Sequence, residues 1–162
     1  MDVYEAALKR RSIREFKDQR VPYDALEKCV NAARLAPSAM NRQVCEYLIV
    51  NDEQLLPRMF DSVGSWAGQP RPKEGWPPGR RPKAYIVVLI NRPLEAEFGG
   101  KTYTDYDAGL AAENIMLVAT GQGLGTCAIA SFAQEKVKRL LNIADKYEIA
   151  LGVALGFPRC PA

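Results

Sequence analysis

The sequence predicts a mixed α+β fold, and three observations lead to this class. Residues 84–90 form an apolar, β-branched run without alternation, which is typical of a central strand covered on both faces. Residues 104–122 carry apolar side chains around most of a helical circumference, which predicts a long helix buried on more than one side. The remaining elements place helices first and strands between long helices later, so the pattern is not a regular βαβ alternation.

Length and composition favour one soluble domain spanning residues 1–162. A chain of about 150 residues buries about 70% of the surface that it exposes when unfolded, so a sizeable core is available. The hydrophobic fraction is 48% and the charged fraction is 25%, close to the average for soluble globular chains, so neither a disordered nor a membrane class is indicated. The N-terminus lacks the basic and apolar regions of a secretory signal, so we expect a cytoplasmic protein without a membrane partner.

Charge and cysteine usage exclude several kinds of site. The 22 basic and 19 acidic residues are interspersed, which argues against a nucleic-acid-binding face. The chain has no histidine, and its four cysteines form no CxxC pair, so we predict neither a metal site nor a Cys–His nucleophile. A hydrolase would have to use carboxylates, lysine or tyrosine as its base. We interpret the thiols as buried or incidental.

The first half of the chain is predicted as two helices, a strand and a third helix. Apolar spacing predicts a short helix from Val3 to about Arg11 and a second one from about Tyr23 that ends before Pro37. Residues 47–50 form a short apolar run of strand length, and Asp52 opens a helix that continues to about residue 60.

Residues 64–82 are predicted to form a long loop. The segment contains four glycines, five prolines, Trp66 and Trp76, and it shows no periodicity. Such a loop is either a functional cover, here an active-site cover, or a disordered segment, and the two tryptophans favour ordered contacts.

The end of the chain is predicted as a glycine-rich turn, a helix and a final strand. Glycines in residues 121–125 end the long helix, and the small residues 127–130 continue in extended form. This backbone could let a flat ligand come close, or it could be a helix cap followed by a buried segment. An amphipathic helix at 133–142 and a strand at 149–158 complete the pattern.

Two polar segments are candidates for ligand binding: the cationic segment, residues 10–14, and the polar turn that includes residues 37–43. The cationic segment offers three guanidinium groups and the Ser12 hydroxyl, which suit a phosphate dianion. The alternative is that basic residues at the end of a helix only complement its dipole. Neither GxGxxG after a strand nor GxxxxGK[ST] occurs, so phosphate recognition would depend on the arginines.

Several segments together resemble the nitroreductase family of FMN-dependent oxidoreductases. They occur in the same order over nearly the whole chain: RRSIREF at 10–16, APSAMNRQ at 36–43, the 107–119 helix, GLGT at 123–126 and LGFP at 155–158. The resemblance implies a central, mostly antiparallel sheet flanked by helices. It also implies an intertwined homodimer with two FMN sites at the interface.

The resemblance assigns site residues from both chains. Arg10, Arg11 and Ser12 would hold the phosphate and ribityl end of FMN, and Arg14 would lie at the pyrimidine edge of the ring and tune its chemistry. The partner chain would contribute the residues of the polar turn, namely Pro37, Ser38, Ala39, Asn41 and Gln43. The residues after the glycine turn would lie near the isoalloxazine and offer backbone N–H groups to it: Cys127, Ala128 and Ile129.

Two departures from the family pattern bear on this site. The family usually has proline after the position of Gln43, whereas this chain has Val44. Family members commonly carry several basic residues after the final Gly-Phe-Pro turn that reach the phosphate, whereas this chain has only Arg159. Either Arg159 takes that role, or phosphate binding depends on Arg10, Arg11 and Ser12 alone.

The function implied by the resemblance is transfer of hydride and electrons from NAD(P)H to an electron-poor acceptor, such as a nitroaromatic or a quinone, by a ping-pong cycle. The catalytic group would be the flavin itself, so no histidine is needed. The alternative is a non-catalytic flavin-binding dimer that sequesters or senses flavin, with Trp66 or Trp76 covering the ring. A third interpretation is an α+β domain without a cofactor. The chain carries no dinucleotide fingerprint, so NADH and NADPH are not distinguished.

Overall fold

The computed structural model describes residues 1–66, 68–70, 72–77 and 80–159. The helices are α1 (Val3–Lys9), α2 (Tyr23–Ala33), α3 (Leu55–Phe60), α4 (Thr104–Gly121) and α5 (Gln134–Leu141), with short 3-10 turns at Ala39–Asn41 and Arg92–Leu94. The strands are β1 (Cys45–Val50), β2 (Ser65–Trp66), β3 (Gln69–Pro70), β4 (Ala84–Asn91), β5 (Glu97–Phe98), β6 (Lys101–Thr102), β7 (Gly125–Ile129) and β8 (Tyr147–Gly156).

Four strands form the central sheet in the order β1-β4-β8-β7, and all three neighbouring pairs are antiparallel. Every residue of β4 is buried, as expected for the apolar run at 84–90. The other strands form two short hairpins, β2 with β3 and β5 with β6, which the sequence analysis did not predict. The predicted antiparallel sheet flanked by helices is therefore confirmed.

Successive side chains of β4 point to opposite faces of the sheet. Both faces are buried, because helices pack against each of them. Ile86, Val88 and Ile90 pack in the cluster that includes residues of α2 and α4. Tyr85 and Val87 pack in the second cluster, which includes residues of α3 and α5. This two-sided burial explains why β4 lacks the polar alternation of a half-exposed strand.

Helix α4 is the longest helix, and it packs against α1, α2 and the sheet. Its small residues permit this close approach on several sides. However, Tyr106 and Leu110 are 69% and 48% exposed. Apolar residues cover much of the helix circumference, as predicted, but part of that apolar surface faces outward. Within the described residues, no helix is both long enough and apolar enough to cross a membrane.

The predicted loop at 64–82 makes ordered contacts in its described residues. Trp66 and Trp76 are buried in the second cluster, where both rings pack against Phe60. Residues 67, 71, 78 and 79 of this prediction lie outside the described residues, as does Cys160. The other three cysteines have free thiols. Cys29 and Cys127 are buried, and Cys45 is partly buried.

Candidate active site

The cationic segment lies along one edge of β7. Ser12 and Thr126 form a parallel bridge, in which the Ile13 N–H donates to the Thr126 carbonyl oxygen over 2.8 Å. The Ile13 side chain lies directly over Gly125, where a Cβ atom would be 2.7 Å from it. The missing side chain at Gly125 therefore lets the segment approach the strand this closely.

The residues after the cationic segment are fixed to the end of β8. Phe16 covers Gly156, where a Cβ atom would be 2.6 Å from the phenyl ring, and it forms a bridge with Pro158. The Arg159 N–H donates to the Glu15 carbonyl oxygen over 3.0 Å. The structure thus brings Arg159 next to the cationic segment, although the two are far apart in sequence.

The three arginines of the segment have different surroundings. Arg11 folds back and donates to the carbonyl oxygens of Leu8 and Arg10, over 2.7 and 2.8 Å, so it caps the end of α1. The Nε atom of Arg10 lies 3.7 Å from a carboxylate oxygen of Glu113 on α4. The alternative of a helix-capping role therefore describes Arg11 well, while Arg10 pairs with a carboxylate of α4.

Arg14 is exposed, but both its main chain and its side chain have partners. Its guanidinium donates to the Ser12 carbonyl oxygen over 3.4 Å, and its own carbonyl oxygen accepts from Trp66 Nε1 over 3.1 Å. Burial raises the pKa of the Cys127 thiol, and the charge and hydrogen bond of Arg14 partly oppose this shift. Arg14 and Cys127 are therefore neighbours, and the thiol stays neutral at pH 7.

A cavity of about 330 Å³ lies beside the cationic segment, between it and the turn that follows α4. Lys9 and Arg11 contribute its charges, and none of the described residues that line it is acidic. Ile13, Leu124 and Pro158 give it apolar walls. Such a cavity suits a ligand that has both an anionic group and apolar surface.

The edge of β7 beyond Thr126 presents backbone and small side chains. Because backbone groups alternate along a strand, the N–H and C=O of Ala128 point to the same edge as those of Thr126, away from β8. Ala128 and Ala130 are exposed, and Cys127 and Ile129 are buried. This edge and the adjacent guanidinium groups fit a flat ring with an anionic tail, which is the shape of a flavin mononucleotide.

The polar turn at 37–43 is held by a buried carboxylate of α4. The Ala39 N–H donates to Asp107 Oδ1 over 3.0 Å, and Asp107 is almost completely buried. Within the turn, the Gln43 N–H donates to Ser38 Oγ over 2.9 Å. Met40, Asn41 and Gln43 all have φ between 50° and 53°, a left-handed backbone that costs energy for residues other than glycine and concentrates at functional sites.

One chain does not bring the polar turn next to the cationic segment. The turn contacts Asp107, whereas Arg10 pairs with Glu113. These two carboxylates are six positions apart on α4, so they lie about 9 Å apart along its axis and point about 120° apart around it. The predicted site residues therefore form two groups, one with Arg10, Arg11, Ser12, Arg14, Cys127, Ala128, Ile129 and Arg159, and one with Pro37, Ser38, Ala39, Asn41 and Gln43.

In the sequence analysis, Asp107 is assigned no role in the site and Trp66 is considered only as a possible cover of the flavin ring. The sequence does contain a signal for Asp107, since it is an acidic residue among the small apolar residues of α4. A carboxylate buried in such a position needs a hydrogen-bond donor. No comparable pattern connects Trp66 to Arg14. Their contact joins residues 52 positions apart and depends on how the loop packs.

Comparisons with known proteins agree with the family resemblance and with the fold. The profile of the nitroreductase family matches residues 7–157. A protein of Archaeoglobus fulgidus whose name includes NAD(P)H nitroreductase is 30% identical, over 93% of this chain and 82% of that protein. The structure of a nitroreductase family protein from Clostridium novyi superimposes with a TM-score of 0.84 at 28% identity, over 98% of this chain and 86% of that chain. The structure of an FMN-dependent nitroreductase from Clostridium difficile superimposes with a TM-score of 0.75 at 25% identity, over 95% of this chain and 86% of that chain.

Proposed function

Since this chain belongs to the nitroreductase family, we propose that it is an FMN-dependent oxidoreductase that takes hydride from NAD(P)H. The electrons pass to an electron-poor acceptor, such as a nitroaromatic or a quinone. One observation carries the proposal: the cationic segment lies against the open, small-residue edge of β7. The relative from Clostridium difficile that is named as FMN-dependent supports the choice of cofactor.

FMN supplies the hydride chemistry when it is bound, and the chain positions it. Arg10 and Ser12 would bind the phosphate, and Arg11 or Arg159 would add positive charge to the same corner. Arg14 would place its guanidinium at the pyrimidine edge of the ring, where it favours a negative charge on N1 and O2. The outward N–H of Ala128 would donate to the opposite edge of the ring.

We propose that the protein is a homodimer in which the polar turn of one chain contributes residues to the FMN site of the partner chain. The residues of this turn lie away from the cationic segment of the same chain, so a partner chain would have to supply them to the proposed pocket. Exposed apolar residues of α1 and α4, among them Tyr4 and Tyr106, provide a surface for such an interface. In the dimer, each pocket would contain residues of both chains.

Ala128 and Ala130 are exposed, and we propose that NAD(P)H and the acceptor both reach the flavin at this edge. NAD(P)H and the acceptor would therefore use the same space in turn, which is the basis of a ping-pong cycle. In a flavin-sequestering protein, an aromatic side chain would be expected to cover the ring. Trp66 and Trp76, the candidates for such a cover, are instead buried in the core.

The absorbance spectrum of the purified protein tests this proposal. We expect a yellow protein, or uptake of added FMN with its fluorescence quenched, and loss of the flavin absorbance on anaerobic addition of NADH or NADPH. Reoxidation by a quinone or a nitroaromatic should restore the spectrum. A protein that binds FMN but is not bleached by either donor would indicate a flavin-binding role, and one that binds no FMN would refute both functions.

A further inference from the structure

We propose that Trp66 is a positioning residue for Arg14, and that it thereby controls the reactivity of the bound flavin. This inference rests on the proposed function, because it assigns Trp66 to the same site. It also gives residues 63–66 a supporting role at the site, in addition to any role of the 64–82 loop as a cover. Trp66 itself would not touch the cofactor or the substrate.

The contact between Trp66 and Arg14 is specific and well enclosed. The indole Nε1–H donates to the Arg14 carbonyl oxygen over 3.1 Å. The ring of Trp66 is 2% exposed and packs edge-on against Phe60, with ring centroids 5.2 Å apart. Because an indole has a single donor and this ring is held by packing, its N–H fixes the direction of the Arg14 carbonyl group.

Two further contacts of Arg14 involve its side chain. The guanidinium donates to the Ser12 carbonyl oxygen and lies close enough to the Cys127 thiol to affect its pKa. These partners orient the charged group, while Trp66 orients the backbone from which it extends. A rotation of that backbone would move the guanidinium relative to the edge of β7, even with the side-chain partners still present.

The segment that carries Trp66 is also tied to the residues that follow β7. The Gly64 N–H donates to the Ser131 carbonyl oxygen over 2.7 Å, and the hydroxyls of Ser65 and Ser131 are 3.3 Å apart. Val63 forms a bridge with Phe132. Residues 63–66 therefore connect Arg14 to the far end of β7 and set the spacing between the cation and the strand edge that would receive the ring.

Trp76 offers a matched control within the same aromatic cluster. Its ring is 3% exposed and also packs against Phe60, with ring centroids 5.9 Å apart. Its Nε1–H has no hydrogen-bond partner among the described residues. Trp66→Phe and Trp76→Phe therefore remove similar ring volumes from one cluster, but only Trp66→Phe removes a hydrogen bond to the cationic segment.

The first test measures the FMN-loaded proteins. The rate of anaerobic bleaching by NAD(P)H and the flavin midpoint potential are determined for wild type, W66F, W76F, R14A and the W66F/R14A double variant. We expect W66F to slow bleaching about tenfold and to lower the potential, and W76F to stay within about twofold of wild type. In the R14A background W66F should have no further effect, since it acts through Arg14.

The second test uses the FMN-free protein. Hydrogen exchange of the peptide that contains Ile13 reports the bond from its N–H to Thr126, which should open more often in W66F and not in W76F. If W66F does not fold, benzothienylalanine is incorporated in the W76F background, where Trp66 is the only tryptophan left to replace. This analogue keeps the double ring and removes only the N–H group.

The outcomes separate the two proposals. Equal bleaching rates, potentials and exchange in W66F and W76F would overturn the role of Trp66 while leaving the proposed function intact. Effects of W66F that simply add to those of R14A would also overturn it, because they would indicate general damage to the fold. A wild-type protein that takes up no FMN would instead refute the proposed function, and the positioning role with it.

Discussion

At the scale of single residues, similar side chains have different roles because their surroundings differ. Arg11 caps the carbonyl groups at the end of α1, whereas Arg14 reaches the Cys127 thiol at the edge of β7. Among the acidic residues, Asp105 is exposed and Asp107 is buried two positions later with a backbone N–H as its partner. Burial and partners, more than residue type, therefore decide what each group does.

Asp107→Ala should weaken FMN binding from a position outside the proposed pocket. It removes the acceptor of the Ala39 N–H and leaves that donor unpaired, at a cost of about 1–3 kcal/mol in unfolding free energy. The strained turn can then relax, so we expect an FMN dissociation constant about tenfold higher in a fluorescence titration. Asp107→Asn keeps an acceptor oxygen and should lie near wild type. Wild-type affinity in Asp107→Ala would contradict this role of the carboxylate.

Cys29 should make the protein sensitive to alkaline pH. Burial raises the pKa of this thiol from an ordinary value of 9.0 to about 11, with a hydrogen bond from Gln122 opposing the shift. The unfolded chain therefore loses this proton at lower pH than the folded one, and the free energy of unfolding falls as the pH rises from 9 towards 11. The contribution is about 2–3 kcal/mol at full ionisation.

Urea unfolding at pH 8 and pH 10.5 checks this expectation. Cys29→Ala should be somewhat less stable than wild type at pH 8, because it leaves a small cavity costing about 1 kcal/mol. It should also lose less stability between the two pH values. An identical loss in wild type and in Cys29→Ala would mean that the ionisation of other groups causes the alkaline effect.

At the scale of elements, the proposed site depends on how closely a loop can approach a strand. The cationic segment and β7 are joined at the Ser12–Thr126 bridge, and Gly125 provides the space for Ile13. A second contact of the same kind occurs where Phe16 covers Gly156 at the end of β8. Two glycines of the sheet therefore receive the apolar side chains that hold the charged residues in place.

Gly125→Ala should displace the cationic segment from β7. The added methyl group would lie 2.7 Å from Ile13, so the segment has to move, at a cost of about 1–3 kcal/mol in unfolding free energy. We also expect weaker FMN binding, measured by titration. Gly121→Ala is the control, since no atom lies within 4 Å of its added methyl group and alanine favours a helix.

Combining Gly125→Ala with Ile13→Gly tests the cause of this effect, because the added methyl group would lie 2.7 Å from the Ile13 Cβ atom, which an alanine would keep. If the clash with Ile13 is responsible, the double variant should bind FMN more tightly than Gly125→Ala alone. Unchanged binding in Gly125→Ala would show that the spacing between the segment and β7 does not matter for the cofactor.

At the scale of the whole molecule, apolar side chains remain at the surface of α1 and α4. Val3 and Tyr4 are 75% and 73% exposed, and Tyr106 and Leu110 of α4 are also exposed. Helix α1 packs against α4, so these residues belong to neighbouring elements. Several large apolar side chains on adjoining helices are typical of a protein interface. This surface and the separation of the polar turn from the cationic segment within one chain favour the same proposal, a dimer.

Leu110→Glu should produce a monomer with weak FMN binding. A charge in the centre of an apolar interface would be desolvated without a partner, which costs several kcal/mol of association energy. Light scattering gives the mass of the particle, and an FMN titration gives the affinity. Tyr23→Glu, a change at a similarly exposed residue of α2, should leave a dimer. A monomeric Leu110→Glu protein with wild-type FMN affinity would refute pockets shared between chains.

The sequence by itself determined the class of the fold, the central strand at 84–90, the long helix at 104–122 and the segments that resemble the nitroreductase family. These features are encoded locally, because apolar spacing and special residues report which surface of an element is buried. Only the tertiary structure decided that Trp66 supports Arg14 and that Asp107 holds Ala39, contacts between residues 52 and 68 positions apart. Periodicity does not specify which buried surfaces meet, since that depends on packing of the whole chain.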